Sequence, residues 1–247
     1  MPAGAQLLPP CPASQAAPEV AQGIAASKQG EYAEATRHFE TAVQLDSGCV
    51  NARMYLATAY MQQFIPGAET AENREFADKA TAQFEAVLEQ QPENEVAIAD
   101  IALIYLNRKR LDEATVWYEK LTVVNPDNKA AFYTLAVIAW QRTQQPVVEA
   151  RSKLGMQPDE PGPLKDAEVR QVLRVKYLGV VQEGIDNAGK ALAIDPEYDD
   201  AMAYLNLLYR VKADLEDAAG ECLTDLATAD EWMRRCQEIR KSKTRRQ

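Results

Sequence analysis

One histidine, 11 glycines and four cysteines among 247 residues set the first limits. Few glycines, together with few β-branched runs, argue against a sheet protein. The cysteines, Cys11, Cys49, Cys222 and Cys236, form no C-x-x-C pair and have no histidine beside them, so neither a zinc site nor another metal is expected. Their oxidation state does not follow from spacing. No apolar run approaches the roughly 20 residues of a membrane helix, so membrane insertion is not expected. Positive charge is scarce: 27 basic against 37 acidic residues give a net −10. Seven of the basic residues and one acidic residue lie from Arg234 onward, leaving 20 against 36 in the rest of the chain. A body so acidic repels nucleic acid and anionic lipid, and no nucleic-acid partner is expected.

Catalytic constellations are equally thin. His38 sits between Arg37 and Glu40 with no serine or cysteine at a spacing a helix would bring within reach, and reads as a surface residue. The acidic pair Asp199–Asp200 opens a helix, where carboxylates serve as caps and dipole partners. The pair Asp159–Glu160 lies in a proline-rich link and reads as solvated. The sequence thus offers no enzyme and calls for no cofactor.

What is present is helical periodicity. Within residues 95–128, Ile98, Ile101, Ala102 and Tyr105 form one helical stripe, and Ala114, Trp117, Tyr118 and Leu121 form another. Pro126 ends the second run, lacking a backbone N–H and disfavouring helix at Asn125. The second-helix pattern recurs at Ala35, Phe39, Ala42 and Ser47; at Ala80, Phe84, Val87 and Pro92; at Gly184, Ala188, Ala191 and Pro196. A last helix offers Ala229, Met233, Cys236 and Ile239. Small residues at such positions let two helices approach closely. This pattern resembles the tetratricopeptide repeat, a helix–turn–helix of about 34 residues. Ile98 departs from it, standing where the family often has Trp. The stretches around residues 65–73, 149–166, 199–215 and 228–232 further resemble a group of uncharacterised bacterial tetratricopeptide-repeat proteins, which implies a fold and no activity. Some of that group look exported.

The resemblance implies an all-α, right-handed α-solenoid of about five helix–turn–helix repeats with insertions in the intra-repeat turns. The expected repeats are residues 16–49, 50–94, 95–128, 129–198 and 199–241. A disordered leader (1–18) precedes them and a basic tail (242–247) follows. Extra residues fall at 63–73, 142–177 and 212–222, each between the two helices of a repeat. Thr70 and Asp166 are the expected caps for the helices that follow two of them. The second insertion contains a short helical pattern at 147–154 and a proline-rich link at 157–163, or forms a degenerate repeat of its own. The tail is expected to fray into solvent, or to dock on an acidic surface such as the protein's own.

In repeats of this kind the concave face comes from fixed positions of each first helix. Here they nominate Met54, Thr58, Met61, Leu103, Leu106, Tyr133, Val137, Trp140, Leu207 and Arg210 as a groove for a protein or peptide partner. The groove is apolar, so a partner or the long insertion folding back must cover it. Repeats that grip acidic chaperone tails carry Lys, Asn and Arg at groove positions matched here by Val20, Ile24, Tyr55, Val96 and Asp100, and none fits. The expected function is a non-catalytic interaction scaffold, binding in the groove or along the insertion-bearing edge. The alternative is a structural subunit that self-associates. The compartment stays open: cytoplasmic as written, exported if an upstream signal has been removed.

Overall fold

A computed structural model describes residues 15–68, 70–157 and 160–246. The leader expected at 1–18 falls largely outside the described residues, as do Asp159 of the second acidic pair and part of the proline-rich link. Among those described the fold is all-α, of the α-solenoid type: α1 Ala17–Gln29, α2 Tyr32–Leu45, α3 Val50–Gln63, α4 Ala71–Gln90, α5 Glu95–Asn107, α6 Leu111–Val124, α7 Lys129–Lys153, α8 Ala167–Ile194, α9 Asp199–Leu215 and α10 Ala219–Arg246. Helices α1 and α2, α3 and α4, α7 and α8, and α9 and α10 pair as hairpins. The chain divides into two compact units, residues 1–120 and 121–247.

In the first unit α1 packs on α2, α2 on α3, α3 on α4 and α4 on α5. Gly23 shows why small residues recur there: a Cβ at that position would lie 2.5 Å from the Phe39 ring. Gly30 ends α1 with a left-handed φ of 80°, and its N–H returns to the carbonyls of Ala26 and Ser27. Ala35, Phe39, Ala42, Ala80, Phe84 and Val87 are buried, as the repeated pattern requires. Asn94 caps α5 by accepting from the Ala97 N–H at 3.0 Å.

The insertion at 63–73 is closed by one side chain. Asn73, 5% exposed, accepts from the Ile65 N–H at 2.7 Å and donates to the Ile65 and Ala68 carbonyls at 2.9 and 2.7 Å. Thr70 caps α4, taking the Asn73 N–H at 3.1 Å. Asn73→Ala strands three backbone groups at once, and urea unfolding is expected to show a loss of about 2 kcal/mol.

In the second unit α7 packs on α8, α8 on α9 and α9 on α10, and α7 also reaches α9. Its core joins Ala136, Ala139, Val147, Ala150, Met156, Leu164, Val181, Leu205, Leu208 and Leu215. Buried Asn206 ties α9 to α10 by donating to the Ala229 carbonyl at 2.8 Å.

The insertions take a form that spacing did not reveal: they mostly lengthen helices. The regular hairpin has helices of 13 and 14 residues, whereas α7 has 25 and α8 has 28. The pattern at 147–154 belongs to α7, not to a separate helix, because α7 continues through Pro146. An interior proline costs about 3 kcal/mol. Burial offsets this: Val147 and Ala150, just beyond it, are buried in the core. Asp166 caps α8, accepting from the N–H groups of Glu168 and Val169 at 2.9 and 3.0 Å. Likewise α9 runs to Leu215 and α10 starts at Ala219, leaving a short link where an eleven-residue insertion was expected.

The tail differs from the frayed form. Residues 242–246 continue α10, and its cations meet the acidic start of α9 and the turn before it. Arg240 contacts Asp199 at 2.7 Å and Asp200 at 3.0 Å, Lys243 contacts Asp199 at 2.5 Å, and Arg246 contacts Glu197 at 3.1 Å. Negative charge at a helix N-terminus is thereby both dipole-matched and ion-paired.

Candidate interaction surface

The nominated groove residues divide between the units. In the first, Met54 is buried at 5% exposure and is corrected from groove to core. Helix α3 is covered on several sides, with Ala52, Leu56, Ala57 and Tyr60 also buried, so a fixed concave position need not face solvent there. Thr58 is half-buried, its hydroxyl spent on the Met54 carbonyl at 2.8 Å. Met61 and Leu106 are half-buried and Leu103 is exposed. Asp100, also half-buried, is pushed up to about 6 by burial.

The second unit brings more of them together. Trp140 on α7 and Leu207 and Arg210 on α9 line one cavity of about 780 Å³, with Leu226 and Asp230 of α10. The long insertion does reach it, but as a wall rather than a filling: Met156, Gln157, Glu160 and Pro161 also line the cavity. Arg151 holds that wall. Its guanidinium donates to the Gln157 carbonyl at 2.8 Å and the Glu160 carbonyl at 2.6 Å, and pairs with the Asp214 carboxylate. The Leu164 N–H donates to the Asp214 carbonyl at 3.0 Å. Burial raises Asp214 to about 6 against the opposing pull of Arg151. At the outer end Arg210 pairs with Asp230 at 2.6 Å.

Beside the cavity, Tyr133 and Trp140 belong to a row of rings that the repeat positions only half predicted. Tyr198 and Tyr204, absent from the nominated set, complete it. The ring contacts arise only once α7 and α9 pack. Val137 is half-buried.

A second apolar cleft, about 530 Å³, lies on the lengthened α7–α8 hairpin. Pro146, Ala150, Leu154, Val169, Val172 and Leu173 line it, with Glu149, Lys153 and Glu168 at its edge. Val172 and, one turn on, Val175 are 67% and 78% exposed.

Chemistry-bearing groups are otherwise accounted for. His38 is half-buried, its Nδ1 2.8 Å from Glu19. Cys222 and Cys236 are buried free thiols, raised by burial. Among the described residues no group of three or more His, Cys, Asp or Glu could hold a metal, and no helix is long and apolar enough to cross a membrane.

Two tetratricopeptide-repeat family models match the chain, over residues 20–67 and 77–139. The chain carries tetratricopeptide-like repeats. Solved structures share the fold of these repeats over most of their length. A MamA structure, residues 41 to the end, from Desulfovibrio magneticus RS-1 is 16% identical, covering 92% of this chain and 96% of that one at a TM-score of 0.61. A further MamA crystal structure is 12% identical, with 90% and 94% covered and a TM-score of 0.58. MamA from MSR-1 is 20% identical, with 90% and 98% covered and a TM-score of 0.53. At such identities the likeness is one of fold. No curated protein matches the chain.

Proposed function

We propose that this tetratricopeptide-like protein is a non-catalytic scaffold that associates with copies of itself through the lengthened α7–α8 hairpin. The observation that carries the reading is the exposed pair Val172 and Val175 beside an apolar cleft. Its edge bears both Glu149 and Glu168 and Lys153, with Lys176 next to Val175. A patch with an apolar centre and both signs of charge is self-complementary: under a two-fold axis each Glu can face a Lys of the second copy. The full-length likeness to MamA structures supports the fold on which this rests. Sedimentation velocity is expected to show concentration-dependent association. The pair Val172→Glu and Val175→Glu is expected to weaken it at least about tenfold, burying two charges in each copy. A monomer at every accessible concentration would sink the reading.

A second reading is favoured by the ring row and the 780 Å³ cavity. In it, Tyr133, Val137, Trp140, Leu207 and Arg210 take a peptide from another protein. Thr58, Met61, Leu103 and Leu106 of the first unit stand as further contacts for the same class of partner.

A further inference from the structure

Tyr198, Tyr133, Tyr204 and Trp140 follow one another on the α7–α9 face of the second unit. Their centroids are 5.2, 5.4 and 5.7 Å apart, and successive planes are inclined by 48°, 83° and 86°. All four rings are half-buried. None of the three phenol oxygens, nor the Trp140 indole nitrogen, has a protein hydrogen-bond partner among the described residues. One face of Tyr198 is taken by the Lys129 ammonium, 5.1 Å from the ring centroid, so the row presents ring surface mainly at Tyr133, Tyr204 and Trp140, with four polar groups that can donate. Burial first, then neighbouring groups that include the Asp200 carboxylate, raise all three phenols, so they keep their protons.

Charge around the row is already spent. Lys129 pairs with Asp195 at 2.5 Å, Asp200 with Arg240 at 3.0 Å and Arg210 with Asp230 at 2.6 Å. A charged ligand would have to compete with one of these pairs, whereas a neutral one would not.

Resting on the second reading above, we propose that this row recognises an extended, proline-rich segment of low charge from a partner protein, bound as polyproline II. Such a helix has no internal hydrogen bonds, so its carbonyls are available to the tyrosine hydroxyls and the indole N–H. Its pyrrolidine rings pack on aromatic faces, and its preformed geometry reduces the ordering cost of binding. An amphipathic α-helix fits less well, because its backbone carbonyls are bonded within the helix and the donors of the row would be buried unanswered. The adjoining cavity, with Leu207, Met156 and Pro161, accommodates an apolar side chain at one end of the segment.

The test is calorimetric titration of the full chain with a decaproline peptide, alongside a Gly-Ser decamer and a helical amphipathic peptide of equal length. Saturable binding of decaproline alone is expected, with a shift of the Trp140 indole N–H resonance. Tyr133→Ala should weaken it about tenfold or more, and Tyr204→Phe, which keeps the ring and the fold, by a few-fold for one lost hydrogen bond. Decaproline binding no better than the Gly-Ser decamer would overturn the proposal. So would preference for the helical peptide, or indifference to Tyr204→Phe. Binding of the helical peptide that Tyr133→Ala weakens would leave the peptide-groove reading standing and overturn this proposal alone, whereas binding of none of the three would count against both.

Discussion

Gly184→Val should cost the second unit about 3 kcal/mol, the upper end of what an overpacked core usually loses. Gly184 is buried where α8 crosses α7 and α9. A Cβ placed on it would lie 2.7 Å from the Ala139 Cβ and 3.1 Å from both Leu208 methyls. The leucine can turn; the two Cβ atoms are fixed to their backbones, so the helices themselves must separate. Gly184→Ala should therefore lose about 1–2 kcal/mol even though alanine is favoured in helices by about 1 kcal/mol. Adding Ala139→Gly removes the atom that is struck and should restore most of that loss. Gly189→Ala is the contrast: nothing lies within 4 Å of that position, so alanine there should stabilise by up to about 1 kcal/mol. Denaturant unfolding of the four variants separates close packing from helix preference.

Arg151→Ala is expected to cost about 3–5 kcal/mol at pH 8, because it leaves the Asp214 carboxylate buried without its cation and two loop carbonyls without their donor. The pH dependence follows from the direction of the Asp214 shift. Burial raises the group from 3.8 to about 6 in the folded state. Its contribution to stability is then present in full below the unfolded value near 3.8, and is lost as pH rises through about 6. Arg151 limits that loss. Without it, the deficit should be greatest above pH 7 and shrink to about 1–2 kcal/mol at pH 4.5, where Asp214 is protonated and only the carbonyls remain unanswered. Asp214→Asn in the same background should recover much of the deficit at pH 8. A deficit equal at pH 4.5 and pH 8 would show that the carboxylate is not its source.

The buried seam was legible because helix period and close packing act locally. Ala35, Phe39, Ala80, Phe84, Ala114, Tyr118 and Leu121 recur at fixed spacing, and all are buried. The caps Thr70 and Asp166 were legible for the same reason, each needing only a hydroxyl or carboxylate a few residues before an amide. The continuity of α7 into 147–154 was not legible because it rests on tertiary burial of Val147 and Ala150, which no window of sequence contains. Of the two fates open to the tail, docking on the protein's own acidic surface is the outcome, which sequence could not choose over fraying because Glu197, Asp199 and Asp200 lie some 40 residues away in the chain. Of the interaction surface, positional rules named Tyr133, Trp140, Leu207 and Arg210. They could not name Tyr198 and Tyr204, whose rings meet their neighbours only once α7 and α9 pack, nor exclude Met54, which is covered by its own unit.

Helix α8 is unbroken from Ala167 to Ile194, so its N-terminal half, where Val169, Leu173 and Tyr177 pack on the core, is geared to the half that carries Gly184. The azimuth at which Val172 and Val175 look outward is set by the residue count back to Gly184. One residue gained or lost between them would swing the valines by about 100° and shift them about 1.5 Å along the axis. A whole heptad would carry them about 10 Å outward and return them to nearly the same bearing. Only steps of two turns keep the bearing of the valines, and each must also re-seat Arg170 and Arg174, which hold the Leu164 and Leu215 carbonyls.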